Sequence, residues 1–109
     1  AMDKNGYAPS IMQDTFFDPF CYLCGANGAL DKLDRHEIFG GSNREKSKRL
    51  GLWVLLCHND CHIFGTMAAH NNASTALRLK QEAQRRAMEA YGWSTEDFIR
   101  EFGKNYLED

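Results

Sequence analysis

The sequence predicts an α+β fold: a short β-hairpin unit followed by C-terminal helices. Three observations predict it. Four cysteines fall in two close pairs, Cys21/Cys24 and Cys57/Cys61. The apolar run from Leu50 to Leu56, LGLWVLL, leads straight into the second pair and is short enough to suit a buried strand better than a helix. Downstream, the stretch from Ser74 to Tyr91 is dense in alanine, leucine, glutamine, arginine and lysine, all good helix formers.

A chain of 109 residues points to one domain. By size scaling it buries only about two thirds of its unfolded surface, so a covalent or metal staple helps it. The net charge of -2 does not by itself suggest a nucleic-acid partner. The charge is uneven, however: Arg44, Lys46, Lys48 and Arg49 cluster against Glu45 alone, while the chain ends in Glu108-Asp109. No apolar run approaches the roughly 20 residues that span a bilayer, so no membrane partner is expected. The first residues lack the apolar stretch of a signal peptide, and Ala1 before Met2 reads as a cloning scar. The expected location is the cytoplasm, where thiols stay reduced and four cysteines read as metal ligands before disulfides.

Taken in order, residues 1–19 read as an extended arm, punctuated by Gly6, Pro9 and Pro19. Phe16, Phe17 and Phe20 are expected to pack into the core or over the stapled unit, since aromatics mostly bury. Cys21-Tyr22-Leu23-Cys24-Gly25 is a knuckle: two residues between thiols let both sulfurs face one ion, and Gly25 permits the tight backbone that follows. Asn27-Gly28 is a turn. Ala29 to Phe39 alternates loosely and predicts a strand ending near Ile38, followed by a Gly40–Asn43 loop. Arg44 to Arg49 reads as a charged loop or single turn. The second strand, Leu50–Leu56, completes a hairpin that brings the cysteine pairs together and sets His36 near His62. A helix is expected from Cys61, interrupted by Gly65 or Asn71-Asn72. The Ser74–Tyr91 helix carries one stripe of Leu77, Gln81, Gln84 and Met88, with Ala76, Leu79, Ala83, Ala87 and Ala90 beside it, and Gly92 stops it. Ser94 caps a last helix with Asp97 three residues on, and Phe98, Ile99, Phe102 and Leu107 supply its apolar face. The chain thus divides into the arm 1–19, a stapled unit 20–70 and a helical part 74–107.

Four soft thiolates in two close pairs match a tetrahedral structural Zn2+ site formed by Cys21, Cys24, Cys57 and Cys61. His58, inside the second knuckle, is able to replace one thiol. His62 follows Cys61 directly and points elsewhere, across to the strand end that carries His36. Two imidazoles completed by water make an open site for a divalent ion: Mg2+, Mn2+ or Zn2+. Such an ion polarises a phosphoryl oxygen and stabilises a leaving alkoxide. Glu37 is the adjacent base candidate, Asp34 is another carboxylate nearby, and His70 is a reserve ligand. Arg44, Lys46, Lys48 and Arg49 sit between the strands, where they would neutralise DNA phosphates without reading base edges. The plain alternative is a solvated charged loop.

The paired cysteines before a strand, the element His36-Glu37-Ile38-Phe39-Gly40-Gly41, and the L-C-x3-C-H run at residues 56–62 resemble the HNH, or ββα-metal, endonuclease family. The resemblance covers about residues 20–66 and is closest to small phage-encoded members with a four-cysteine zinc site. These also look similar at Leu79-Lys80-Gln81 and Phe102-Gly103-Lys104-Asn105-Tyr106-Leu107. The family places metal ligands before its second histidine and after its last cysteine, and uses the second histidine as general base. Carried over, the resemblance makes His36 and His62 the metal ligands and puts Glu37 where the base stands. A shifted register would make His36 the base and Asp34 or Glu37 a ligand. The family's middle asparagine has no match, because Gly51-Leu52 occupies that region. The resemblance implies a metal-dependent DNA endonuclease, phage or prophage encoded and acting in a bacterial host cell. The alternative is a catalytically inactive zinc-stapled module that binds nucleic acid or protein, such as an inhibitor of a host nuclease system. The C-terminal helices are free to pack on their own domain or on a second copy, as a homodimer.

Overall fold

The computed structural model describes residues 2–107, so Ala1 and the acidic end Glu108-Asp109 lie outside the described residues. The chain is mixed α and β, with one two-stranded antiparallel sheet and helices around it. Strand β1 is Leu33–Glu37 and strand β2 is Trp53–Cys57. Their register pairs Leu33 with Cys57 and His36 with Val54. Both strands are shorter than the sequence suggests, because Ala29–Asp31 bends away before β1 and Leu50 belongs to a helix. Side chains alternate faces along a strand, so Asp34 and His36 share one face of β1, and Arg35 and Glu37 share the other.

The expected charged loop or single turn between the strands is a short 3-10 turn, Gly41–Asn43, followed by a longer helix, α1, Arg44–Leu50. Its only buried residue is Ser47, so no apolar stripe announces it. Glu45 in its first turn and Lys48 and Arg49 in its last complement the helix dipole. Gly51 ends it in a left-handed conformation (φ 74°), and a Cβ there would lie 2.3 Å from the Pro9 carbonyl oxygen.

That close approach belongs to the arm. Ala8 and Ile11 donate backbone N–H groups to Lys48 and Gly51 carbonyls at 2.9 Å each. The Trp53 indole donates to the Ala8 carbonyl at 2.8 Å, and the Ser10 hydroxyl donates to the Trp53 carbonyl at 2.7 Å. Met12, rather than the phenylalanines, enters the core. Phe16 and Phe17 are 82% and 84% exposed, against expectation. The arm bends at Asp14, whose carboxylate accepts the Phe16 N–H, and the two rings stack edge-on against each other instead.

After β2 the backbone enters a wide π-helical turn, His58–Ile63, three residues before the helix expected at Cys61. The Asp31 carboxylate sets its start by accepting the N–H groups of Asn59 and Asp60. The Asn59 carbonyl closes its far end by accepting from Phe64 and Gly65.

Helix α2, Ala73–Tyr91, is capped by the Asn72 side chain, which accepts the Thr75 N–H. Its buried face is Thr75, Leu79, Ala83 and Ala87, four residues apart, with Gln84. The expected stripe is therefore rotated, and Leu77 faces out. Small alanines let the helix approach closely, while buried Gln84 is satisfied by the Asn105 side chain and the Tyr106 N–H. Helix α3, Thr95–Phe102, begins with the reciprocal Ser94/Asp97 capping box. Phe98 and Phe102 pack on Phe39; Leu107 lies past the helix end. Among the described residues no helix is long and apolar enough to cross a membrane.

Candidate metal centre

The hairpin brings two knuckles to one end of the sheet. Cys21 and Cys24 come from the turn after the arm, which adds a backbone bond from Tyr22 N–H to the Leu55 carbonyl at 2.8 Å. Cys57 ends β2, and Cys61 sits on the π turn. The four sulfurs lie within 4.8 Å of one another, with Cys24 and Cys57 3.6 Å apart, and all four are free thiols. Burial works to raise the Cys21 thiol, but N–H groups of Cys24, Cys57 and Leu23 turned toward its sulfur bring it down to about 7. Burial and the neighbouring sulfurs of Cys24 and Cys21 push Cys57 up to about 12 and raise Cys61 as well. Four thiolates cannot crowd together without a cation, and a cation is what this donor set accommodates. The cluster could bind a structural metal.

A second cluster is built from the same turn. His62, directly after Cys61, meets His36 from β1 and His70 from the segment before α2. Ring centroids are 5.2 Å apart for His36 and His62, 5.1 Å for His36 and His70, and 4.7 Å for His62 and His70. One ligand atom from each lies within 4.8 Å of the others. His36 is 8% exposed, and burial, then His62, His70 and Lys80, push its pKa down to about 3. A neutral imidazole is the form that binds metal. His70 is exposed, and burial of its ring lowers its pKa too.

Asp34 organises the far side of His62. Its Oδ2 lies 2.9 Å from His62 Nδ1 and 2.5 Å from His58 Nδ1. With Nδ1–H donating to this carboxylate, His62 offers its Nε2 lone pair, the usual arrangement behind a metal-binding histidine. His58 is thus held on Asp34, away from the sulfurs it was able to join.

The three histidines line an open cleft of about 390 Å³, together with Tyr7, Arg35, Glu37, Gly40 and Arg44. Glu37 reaches it with both oxygens engaged: Oε2 accepts the Tyr7 hydroxyl at 2.7 Å and Oε1 accepts Arg44 Nε at 2.7 Å. A carboxylate has about four acceptor positions, so further capacity remains on each oxygen.

Of the four basic residues singled out in the sequence, only Arg44 borders the cleft. Lys46 donates to the Glu101 carbonyl at the end of α3. Lys48 lies over the Tyr7 ring at 4.8 Å and near Glu45 at 3.7 Å. Arg49 is exposed and is not among the residues that line the cleft. Sequence reasoning passed over Tyr7 and Arg35. Tyr7 carries no local signal, since it reaches Glu37 across the arm. Arg35 was legible only as the strand neighbour of His36.

Compared with known proteins, the chain matches no family model, no curated protein and no solved structure.

Proposed function

We propose that the chain is a metal-dependent DNA endonuclease of HNH type, phage or prophage encoded, that hydrolyses phosphodiester bonds at the histidine cleft. The observation that carries this reading is the convergence of His36, His62 and His70 in an open cleft bordered by Arg35 and Arg44. In this reading β1, β2 and the π turn play the part of a ββα-metal unit. Cys21, Cys24, Cys57 and Cys61 hold a structural Zn2+, which four thiolates suit best. His36, His62 and His70 hold the catalytic ion, and a set of imidazoles favours Mn2+ or Zn2+ over Mg2+. When bound, that ion polarises the phosphoryl oxygen and stabilises the leaving alkoxide. Asp34 holds His62 in the tautomer that can ligate. Arg44 places a positive charge beside the phosphate while its Nε orients Glu37. Glu37 accepts the proton of the attacking water, with Tyr7 fixing the other side of its carboxylate.

Nicking of supercoiled plasmid with added manganese or magnesium tests this. Activity that falls at least a hundredfold in His36→Ala and in Glu37→Gln is the expected result, from the usual size of a general-base contribution of about 10²–10⁴. A second reading, a zinc-stapled binding module without catalysis, draws on one specific observation: both Glu37 oxygens already have partners. Absence of nicking with every ion, from protein that retains its structural metal, would favour that second reading.

A further inference from the structure

The cleft is the middle of a longer track. On one side it shares Tyr7 and Arg35 with a cavity of about 500 Å³ whose walls include Phe16 and Trp53. On the other it shares His36, Glu37, Gly40 and His70 with a cavity of about 200 Å³ that ends at Lys80. One end is therefore aromatic, the middle carries the histidines, and the far end is cationic.

We infer that the track takes an unpaired DNA strand, with one base lodged against Phe16, the adjoining phosphodiester at the histidines and the next phosphate toward Lys80. The inference rests on the phosphodiester reading of the cleft for the position of the scissile bond.

The aromatic end has the features a base needs. Phe16 is 82% exposed at the rim of a concave cavity. The Arg35 guanidinium lies 4.3 Å from the Tyr7 ring centre and 5.2 Å from that of Trp53, two rings set edge-on to each other at the seam between the two cavities. Asp3 pairs with Arg35 at 3.0 Å, so this arginine contributes its flat face more than its net charge. Aromatic and guanidinium faces stack any base and so bind single strands with little sequence preference. In a duplex each base is already stacked between neighbours and cannot enter such a cavity. Charge is supplied elsewhere: Lys80 has no carboxylate partner among the described residues, and its ammonium rests over the Tyr106 ring at 5.6 Å. Phosphates need cations of this kind at intervals along the strand.

Fluorescence anisotropy with a labelled short oligothymidine and a hairpin duplex tests the inference, using protein loaded with its structural metal and no added manganese or magnesium. The single strand is expected to bind at least about tenfold tighter than the duplex. Phe16→Ala is expected to weaken single-strand binding about tenfold and to leave duplex binding unchanged. Phe16 is exposed, so this variant keeps the fold, and an unaltered thermal midpoint checks that. Lys80→Ala is expected to flatten the salt dependence by about one phosphate contact. Equal affinity for the two DNAs, no binding to either, or an unchanged Phe16→Ala would overturn the inference. The two readings fail separately: single-strand preference with no cleavage of either the plasmid or the single strand, once manganese or magnesium is added, removes only the nuclease, and cleavage without preference removes only the unpaired strand.

Discussion

Ser47 is fully buried, and its hydroxyl donates to the Phe39 carbonyl at 2.8 Å while accepting the Phe39 N–H at 3.0 Å. One small side chain thus closes the backbone between β1 and α1. Ser47→Ala leaves two buried backbone groups without partners, each worth about 1–3 kcal/mol. The expected loss is about 2 kcal/mol or more, read as a fall of roughly 10 °C in the thermal midpoint of the metal-loaded protein. An unchanged midpoint would show that the Phe39 groups find other partners. Nothing in the local sequence marks this serine, because both of its bonds cross eight positions of chain. The cysteines are the opposite case. Their two-residue and three-residue spacings are a local pattern that suits a shared ligand, and the hairpin had only to bring the pairs together. His36 and His62 were legible through their neighbours, Glu37-Ile38 and Cys61. Tyr7 was not, since its hydroxyl meets Glu37 across 30 positions.

Among the elements, α3 was the most legible. Its capping box is a spacing rule, and the structure holds both reciprocal bonds, from Ser94 N–H to Asp97 at 3.0 Å and from Asp97 N–H to Ser94 at 3.1 Å. Ser94→Ala should cost about 1 kcal/mol, measured by thermal unfolding. The Ser94 N–H first, and the Arg100 guanidinium after it, hold the Asp97 carboxyl below its ordinary value of 3.8. A depressed folded value means that the ionised form belongs to the fold. Its contribution is therefore present above about pH 4 and lost as the pH falls through the folded value. Asp97→Asn should flatten that part of the acid profile, followed as the thermal midpoint against pH. Helix α1 was illegible for a physical reason. Periodicity reports apolar faces, and α1 buries only a serine. The rotation of α2 has a related cause: alanine scores as neutral in a pattern, yet Ala83 and Ala87 are the residues that touch the core.

At the scale of the molecule, Cys21 and Cys57 belong to the same core cluster as Leu79 of α2 and Phe98 of α3. Metal removal should therefore melt more than a loop. Structural zinc in small peptides is worth about 10–16 kcal/mol, as much as the whole stability of a typical domain of about 5–15 kcal/mol. A chelator should abolish the near-ultraviolet dichroism of Trp53, which is 4% exposed, along with the cooperative thermal transition. Retention of both in metal-free protein would overturn the staple. Acid should act in the same direction, because the thiols must shed protons to bind the ion and the raised Cys57 holds its proton firmly. The π turn carries a further consequence, one of hierarchy. Cys61 and His62 are consecutive on it, and Asp34 ties the same turn to β1. The histidine cleft can be erased alone by a single substitution, but the sulfur cluster cannot be lost without taking the cleft along. With a metal on the sulfurs, assembly of this protein would therefore have an order, the sulfur cluster first and the histidine cleft after it.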